Sequence, residues 1–282
     1  MNPHALKTLA CLLAAALLAS CSPKDPRAEL DAAQRLMAQG QFAEALPHTA
    51  LCLAIETDSV DAIVANAICA YAATNATEAD RKNARLNLQR ASATLAPERF
   101  DVWYTLTWLL VQERDFDGAI STARNARGLY RALQTPAIPH NATCDQHDLT
   151  LAKANPAYAN LLVMYADICR HNRLEEGIQL FVTALQLKSL QLLPEISLAF
   201  AQLLIDTDYY RQAAQILRNI CRTFPDNAAA AYNLAYFDDQ INLLKPPRQT
   251  RRDYYQHAID LATRLGDSRI ATRAAERLAK LH

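Results

Sequence analysis

Residues 103–126 read WYTLTWLLVQERDFDGAISTARNA and contain two short amphipathic patterns separated by a polar turn. Large apolar residues recur every three or four positions in the first half, and alanine recurs in the same way in the second half. These residues are Trp103, Leu106, Leu110, Ala119, Ala123 and Ala126. Apolar residues at this spacing lie on one face of an α-helix. Because a tiny residue lets two antiparallel helices approach closely, the stretch predicts a helix–turn–helix with alanine at the contact.

The second half of this pattern recurs along the chain. In each copy a bulky residue is followed by two mainly polar or small residues, a tiny residue and usually an aliphatic one. The copies lie at residues 41–46, 115–120, 173–178, 209–214 and 254–259, with a weaker copy centred on Ala84. The tiny residues stand at positions 45, 84, 119, 177, 213 and 258, so the spacings are 39, 35, 58, 36 and 45 residues. The longest spacings indicate insertions between repeats.

This pattern resembles the tetratricopeptide repeat (TPR), a helix–turn–helix of about 34 residues. The copy at 103–126 matches the opening W-x2-L of the repeat, although Leu110, Ala123 and Thr107 replace the usual Tyr, Phe and Gly. The resemblance covers residues 27–265 and implies an all-α, right-handed α-solenoid of about six repeats. A capping helix is expected over residues 268–282. The alternatives are a generic helical bundle and another α-solenoid in which alanine has this spacing by coincidence.

The composition agrees with an all-helical globular protein. Of the 282 residues, 51% are hydrophobic and 21% are charged, and only five are glycine. The predicted solenoid is interrupted at residues 130–156, where Pro136, Pro139 and Pro156 end the preceding helix and prevent its regular continuation. Lys and Arg together number 29, as do Asp and Glu, so the net charge gives no attraction to nucleic acid.

Residues 1–20 are predicted to be a signal peptide. Their unbroken apolar run has eleven residues, fewer than the roughly 17 that span a bilayer. The run ends in Leu18-Ala19-Ser20-Cys21, which resembles the lipobox of bacterial lipoproteins and implies that Cys21 is acylated at the start of a short tether, 21–26. By the same resemblance, Ser22 implies an outer-membrane anchor facing the periplasm. An ordinary secretory signal with a chance cysteine is the alternative.

Most signatures of catalysis are absent from the sequence, and we expect neither an enzyme nor a bound cofactor. There is no phosphate-binding glycine loop, no G-x-S-x-G, no H-E-x-x-H and no C-x-x-C. One cluster of potential metal ligands occurs, for which a polar loop without a metal is the simpler interpretation. Its members are His140, Cys144, Asp145, His147 and Asp148. A Cys144–Cys169 disulfide is a further alternative, which an oxidising compartment would permit.

The TPR resemblance also indicates a binding surface. In this family the first helix of each repeat lines a concave groove that takes an extended peptide or a helix of a partner protein. Carried over by position, the strongest candidates are Tyr104, Trp108, Val111, Tyr232 and Tyr236. Asp239 lies beside the last two, and further candidates are Val64, Tyr71, Leu198, Gln202 and Ile205.

These features predict a membrane-anchored adaptor that binds another protein of the bacterial cell envelope and takes no small-molecule substrate. Lipoproteins of this kind act in secretion-system and pilus assembly, outer-membrane protein insertion and regulation of cell-wall enzymes, and the sequence does not select among these roles. One alternative is a structural spacer whose groove is filled by the chain's own insertion or terminal helix. Another is a metal-dependent protein that uses residues 140–148.

Overall fold

A computed structural model describes most of the chain, and every regular element in the described part is helical, which confirms the all-α prediction. The described residues are 25–133, 144–172, 174–187, 194–241 and 248–281, without the side chains of 144–145, 238–241 and 248–250. The predicted signal peptide and the predicted acylation site, Cys21, lie outside them. None of the described helices combines the length and apolar character needed to cross a bilayer. The chain divides into two compact units, Met1–Leu109 and Leu110–His282.

The first unit contains four helices and most of a fifth within its described residues. The helices are α1 (Pro26–Ala38), α2 (Phe42–Ile55), α3 (Val60–Ala72), α4 (Glu78–Arg90) and α5 (Phe100–Gln112). α4 continues into a short π-helical turn over Ala91–Leu95. α1 packs on α2 and α3, α2 packs on α3, and α3 packs on α4. The boundary between the units falls inside α5, after Leu109.

A proline in α2 shows how polar side chains support these contacts. Pro47 lies inside the helix, where it provides no N–H for the carbonyl of Ala43 four residues earlier. The side-chain amide of Asn75 instead donates to this carbonyl at 3.4 Å. Nearby, the amide of Asn66 on α3 donates to the buried hydroxyl of Thr49 on α2 at 3.0 Å. These contacts hold α2 to α3 and to the turn that follows α3.

The second unit contains the end of α5 and, within its described residues, nine further helices. They are α6 (Phe116–Leu133), α7 (Cys144–Ala154), α8 (Pro156–His171), α9 (Glu176–Leu185), α10 (Pro194–Asp206), α11 (Tyr210–Thr223), α12 (Ala228–Ile241), α13 (Arg248–Arg264) and α14 (Ser268–Lys280). From α7 to α14 each helix packs on the next, and α8 also packs on α6 and α10.

The predicted order of first and second helices is confirmed. In sequence order the two helices of the successive repeats are α1/α2, α3/α4, α5/α6, α8/α9, α10/α11 and α12/α13. Where both helices of a repeat lie in one unit, they pack on each other. α7 stands outside this order, in the 58-residue gap between the third and fourth tiny residues. The tiny residue of every repeat lies in the second helix of its pair and is buried. These residues are Ala45, Ala84, Ala119, Gly177, Ala213 and Ala258.

Gly177 marks the tightest of these contacts. A Cβ added at Gly177 would lie 2.7 Å from Cβ of Cys169 on α8 and 2.8 Å from Cδ2 of Leu203 on α10. Both distances are well below the optimal carbon–carbon separation of about 3.5–4.0 Å. α9 therefore packs against α8 and α10 through a position where only a hydrogen fits.

The last helix, α14, is amphipathic, as predicted. Ile270 and Ala274 are buried in a core that α14 shares with α12 and α13. Arg273, Glu276 and Lys280 are exposed to solvent. The final described helix therefore covers the apolar face of the sixth pair and presents charged residues outward.

We predict that Gly177→Ala lowers the free energy of unfolding by about 1–3 kcal/mol, because the new methyl group overpacks the contact with Cys169 and Leu203. The matched control is Gly128→Ala, since Gly128 is exposed on α6 and no atom lies within 4 Å of its added Cβ. Alanine favours a helix over glycine by about 0.8–1.0 kcal/mol, so the control should be neutral or stabilising. Urea denaturation followed by circular dichroism measures both, and equal stabilities would contradict the close approach at Gly177.

Candidate functional site

A cavity of about 180 Å³ lies between α10, α11 and α12. Four of the residues that the sequence placed in the binding groove lie around it, three from the fifth repeat and one from the sixth. They are Leu198, Gln202, Ile205 and Tyr236. The buried side chains of Leu217 and Phe237 form its floor. The structure therefore brings together groove candidates from two repeats at one opening.

A second cavity, of about 470 Å³, lies on the α8 side of α10. Val163 and Met164 of α8 and Ala199 of α10 give it apolar walls, and Asp167 and Glu195 bring two carboxylates to it. We define the α10 groove as the surface of these two cavities, lined mainly by the first helices α8, α10 and α12. It lies entirely within the second unit.

The sequence analysis missed the α8 side of the α10 groove. Val163, Met164 and Asp167 lie in the first helix of the fourth repeat, the position that Leu198 and Gln202 occupy in the fifth. Their spacing of three and four residues was a signal for one helix face. The 58-residue gap before the fourth tiny residue obscured the register of this repeat, so no groove residues were assigned to it.

Tyr232 and Tyr236 form an aromatic pair at the α12 side of the groove. Their rings stack with centroids 6.0 Å apart. The guanidinium of Arg277 on α14 lies 4.7 Å from the centroid of the Tyr236 ring, a cation–π arrangement. Tyr236 is 36% exposed, so Arg277 covers only part of its surface. The side chain of Asp239, which the sequence placed beside this pair, lies outside the described residues.

The first unit carries a separate aromatic strip, which we define as Tyr71 of α3 with Tyr104 and Trp108 of α5. The rings of Tyr71 and Trp108 meet edge to face with centroids 6.1 Å apart. Arg81 lies 5.9 Å from the Tyr71 ring centroid. All three rings are partly exposed, as is Val64 on α3. Burial raises the pKa of the Tyr104 hydroxyl, which therefore stays neutral.

The five strongest groove candidates divide between the two units. Tyr104 and Trp108 lie in the first unit, and Val111, Tyr232 and Tyr236 lie in the second. The described part of the chain leaves all five side chains at least partly accessible. If the chain itself filled the groove, these side chains would be fully buried, and none of the five is. Their role in binding a partner stays a prediction.

The polar loop expected at residues 140–148 is wrong from Cys144 onward, where α7 begins. The carboxylate of Asp148 is buried and forms a salt bridge with Arg127 of α6, with Nη2 and Oδ2 2.5 Å apart. The Tyr158 hydroxyl of α8 donates to the other carboxylate oxygen at 2.7 Å. Asp148, which the sequence placed in a solvated loop, therefore has its partners on two neighbouring helices. Arg127 is 21 residues away in sequence and Tyr158 is 10 residues away.

A second polar contact joins α6, α8 and α9. The Tyr165 hydroxyl donates to Glu176 at 2.5 Å, and Arg124 donates to the same hydroxyl at 2.9 Å. Arg124 also forms a salt bridge with Glu176 at 2.7 Å. Burial alone would raise the pKa of Glu176, but the hydrogen bonds from Arg124 and Tyr165 outweigh it, so this pKa lies below its usual value. Glu176 is therefore charged at neutral pH and links three helices.

The predicted metal-ligand cluster falls partly outside the described residues, which exclude His140 and the side chains of Cys144 and Asp145. Among the side chains that are described, no group of three or more His, Cys, Asp or Glu is placed to hold a metal ion. Asp148 is engaged in the salt bridge described above. Burial lowers the pKa of His147, which favours its neutral form.

The four cysteines whose side chains the structure describes, Cys52, Cys69, Cys169 and Cys221, carry free thiols. Cys52, Cys69 and Cys169 are buried and unpaired with another cysteine, so the Cys144–Cys169 disulfide considered from the sequence is wrong. Burial raises the pKa of Cys69 to about 11 and that of Cys169 to about 12. These thiols stay protonated at neutral pH and act as small apolar side chains.

No protein-family model matches the sequence, and a search of curated proteins finds no match. Solved structures do share the fold. PilF of Pseudomonas aeruginosa is 16% identical, and the match covers 91% of each chain with a TM-score of 0.51. YrrB, a TPR protein with an unusual peptide-binding site, is 13% identical over 81% of this chain and 97% of its own, with a TM-score of 0.54.

A TPR protein of Parabacteroides merdae is 8% identical over 91% of this chain and 93% of its own, with a TM-score of 0.54. These similarities and the six helix pairs show that the chain has the all-α TPR fold.

We predict that Asp148→Ala lowers the free energy of unfolding of the second unit by about 3–5 kcal/mol, because it removes the nearest carboxylate from the largely buried Arg127. The matched control is Asp58→Ala in the first unit. Its salt bridge with Arg90, at 3.1 Å, is exposed and should contribute about 0.2–1 kcal/mol. The double variant Asp148→Leu/Arg127→Leu removes both charges and should recover part of the loss. Urea denaturation measures all three, and equal losses for Asp148→Ala and Asp58→Ala would refute the structural role of the buried pair.

Proposed function

We propose that this protein is an adaptor that holds a segment of a partner protein on the inner faces of its first helices. The main support is the cavity between α10, α11 and α12, where Leu198, Gln202, Ile205 and Tyr236 lie around one opening. All four side chains are at least partly exposed in the described structure. Apolar and aromatic side chains held on a rigid scaffold are typical anchors of protein–protein interfaces.

The size of the α10 groove suits the side chains of a peptide or of a partner helix. Its cavities, of about 470 and 180 Å³, can each receive a large apolar side chain. Burying one such side chain contributes about 1.5–3 kcal/mol, whereas micromolar binding requires about 8 kcal/mol in total. Two anchors therefore supply a substantial part of a useful affinity. The peptide-binding site of the structurally similar YrrB supports the same kind of partner.

We further propose that the adaptor is a bacterial lipoprotein, anchored through Cys21 in the outer membrane and facing the periplasm. The support is Leu18-Ala19-Ser20-Cys21 at the end of an apolar run of signal-peptide length, followed by Ser22. Several acyl chains anchor a protein stably where one chain is marginal. The short tether at 21–26 would keep the helices close to the membrane, so the expected partner is another protein of the cell envelope.

Tyr236→Ala combined with Leu198→Ala should release a partner that copurifies with the wild-type protein from detergent-solubilised membranes, because both changes remove apolar contact area from the groove. Tyr209→Ala is the matched control: Tyr209 is 37% exposed, as against 36% for Tyr236, and it lines neither cavity. The double variant Tyr104→Ala/Trp108→Ala tests the aromatic strip in the same way.

Quantitative mass spectrometry of the eluates gives the readout, after circular dichroism has shown equal helicity of the variants. A loss of about tenfold, which corresponds to 1.4 kcal/mol, is expected for the groove or the strip variant, with retention by Tyr209→Ala. A partner retained by both double variants would place binding elsewhere and contradict the proposal. Failure of the wild type to capture any partner in these membranes would contradict it as well.

Cys21→Ser should abolish acylation, because a serine hydroxyl does not replace the thiol that accepts the diacylglycerol. Metabolic labelling with a radioactive fatty acid should mark the wild type and leave the variant unlabelled. Cys11→Ser, in the same predicted signal peptide, is the matched control and should be labelled normally. Label in Cys21→Ser, or its absence from the wild type, would show that Cys21 is not the anchor.

A further inference from the structure

Acidic side chains outnumber basic ones at the α10 groove. Asp167 and Glu195 line its larger cavity, and Asp206 lies at the margin of the smaller one, where it contacts the lining residue Gln202. Neither cavity is lined by a described Lys, Arg or His side chain. Since the whole chain has equal numbers of basic and acidic residues, this surplus of carboxylates is a local property of the groove.

The three carboxylates differ in how far the protein itself neutralises them. Asp167 forms a salt bridge with Arg170 at 2.8 Å. Asp206 accepts a hydrogen bond from the neutral amide of Gln202 at 2.9 Å, and Glu195 is exposed. Within the described residues, neither Glu195 nor Asp206 takes part in a salt bridge. Glu195 in the groove and Asp206 at its margin are therefore available to a ligand.

The two available carboxylates stand at opposite ends of the exposed stripe of α10. Glu195 and Asp206 are eleven positions apart, which is about 16 Å along a helix. Leu198, Ala199 and Ile205 lie between them and supply apolar surface to the two cavities. An extended chain spans this distance with roughly five residues. A ligand complementary to this surface of α10 therefore has apolar side chains in its middle and positive charges towards its ends.

One cation of the protein itself lies at the α12 side of the groove. The guanidinium of Arg277 lies 4.7 Å from the centroid of Tyr236, whose ring is only partly covered. Because Arg277 already uses the cation–π attraction of this ring, the cations of a ligand are expected at Glu195 and Asp206 and not at Tyr236. A segment with acidic side chains would meet these two carboxylates as like charges.

We propose that the α10 groove selects a partner segment in which large apolar side chains are flanked by lysine or arginine, roughly five residues apart when the segment is extended. This inference rests on the proposed function and specifies the chemistry of the partner. Apolar side chains enter the two cavities, and the flanking cations pair with Glu195 and Asp206. Binding weakens as salt concentration rises, because Glu195 is exposed and Asp206 partly exposed, so salt screens both pairs.

The test selects a random peptide display library on the purified, detergent-solubilised full-length protein. Peptides recovered on the wild type are synthesised, and their dissociation constants are measured for three variants. Glu195→Gln/Asp206→Asn removes the two charges. Asp260→Asn/Glu276→Gln is the matched control, since Asp260 is exposed and accepts from Gln256 at 2.9 Å, as Asp206 does from Gln202. Tyr236→Ala/Leu198→Ala removes apolar contacts.

The expected peptides are rich in large apolar residues and in Lys or Arg, and poor in Asp and Glu. Their affinity should fall about 3- to 10-fold for Glu195→Gln/Asp206→Asn, as for two exposed ion pairs. It should stay unchanged for Asp260→Asn/Glu276→Gln. Peptides that depend on Tyr236 and Leu198 but show no preference for cations, or no response to the charge removal, would overturn this inference and leave the proposed function standing. Recovery of no peptide that depends on Tyr236 and Leu198 would overturn both this inference and the role proposed for the α10 groove.

Discussion

The close contact between helices at the tiny residues is the constraint on which the other features depend. At Gly177 a hydrogen occupies a position where a methyl group would overlap Cys169 and Leu203. α10 uses the side that carries Leu203 for this contact with α9. Its other sides, including Leu198 and Gln202, are left to line the cavities. The same small residue that lets the helices pack therefore also determines which face of a first helix remains open.

An insertion in such an array must be attached without disturbing these contacts. α7 is held by Asp148, whose buried carboxylate binds Arg127 on α6 and Tyr158 on α8. Removing one partner of a buried ion pair is strongly destabilising because it leaves the other charge buried without compensation, so this pair opposes detachment of α7 from α6. α7 also packs on α9. The insertion is thus part of the packed second unit, whereas a solvated loop would have left the third and fourth pairs without this link.

The sequence predicted the fold well because the repeat is a local pattern that recurs. All six tiny residues are buried as expected, and three groove residues of the fifth repeat line one cavity with Tyr236. It failed at α7, where Asp148 finds partners in other helices that no local pattern reveals. It also missed Val163 and Met164, because their helix follows the insertion and its register relative to the repeat could not be assigned. Glu195 was missed for a different reason: a charge near a helix start is ordinary until its neighbours in space are known.

Recognition by such a groove needs two kinds of interaction with different tasks. In the proposed complex, apolar contacts around Leu198 and Tyr236 would supply affinity, but any large apolar side chain can make them, so they would discriminate weakly between partners. Charge supplies discrimination, because a segment of the wrong sign meets repulsion and loses its hydration without compensation. A lipid anchor of the kind proposed for Cys21 would confine the adaptor near its partner and raise the local concentration. Modest affinity would then suffice, and carboxylates such as Glu195 and Asp206, which contribute little to affinity individually, would be sufficient to decide which partner segment is held.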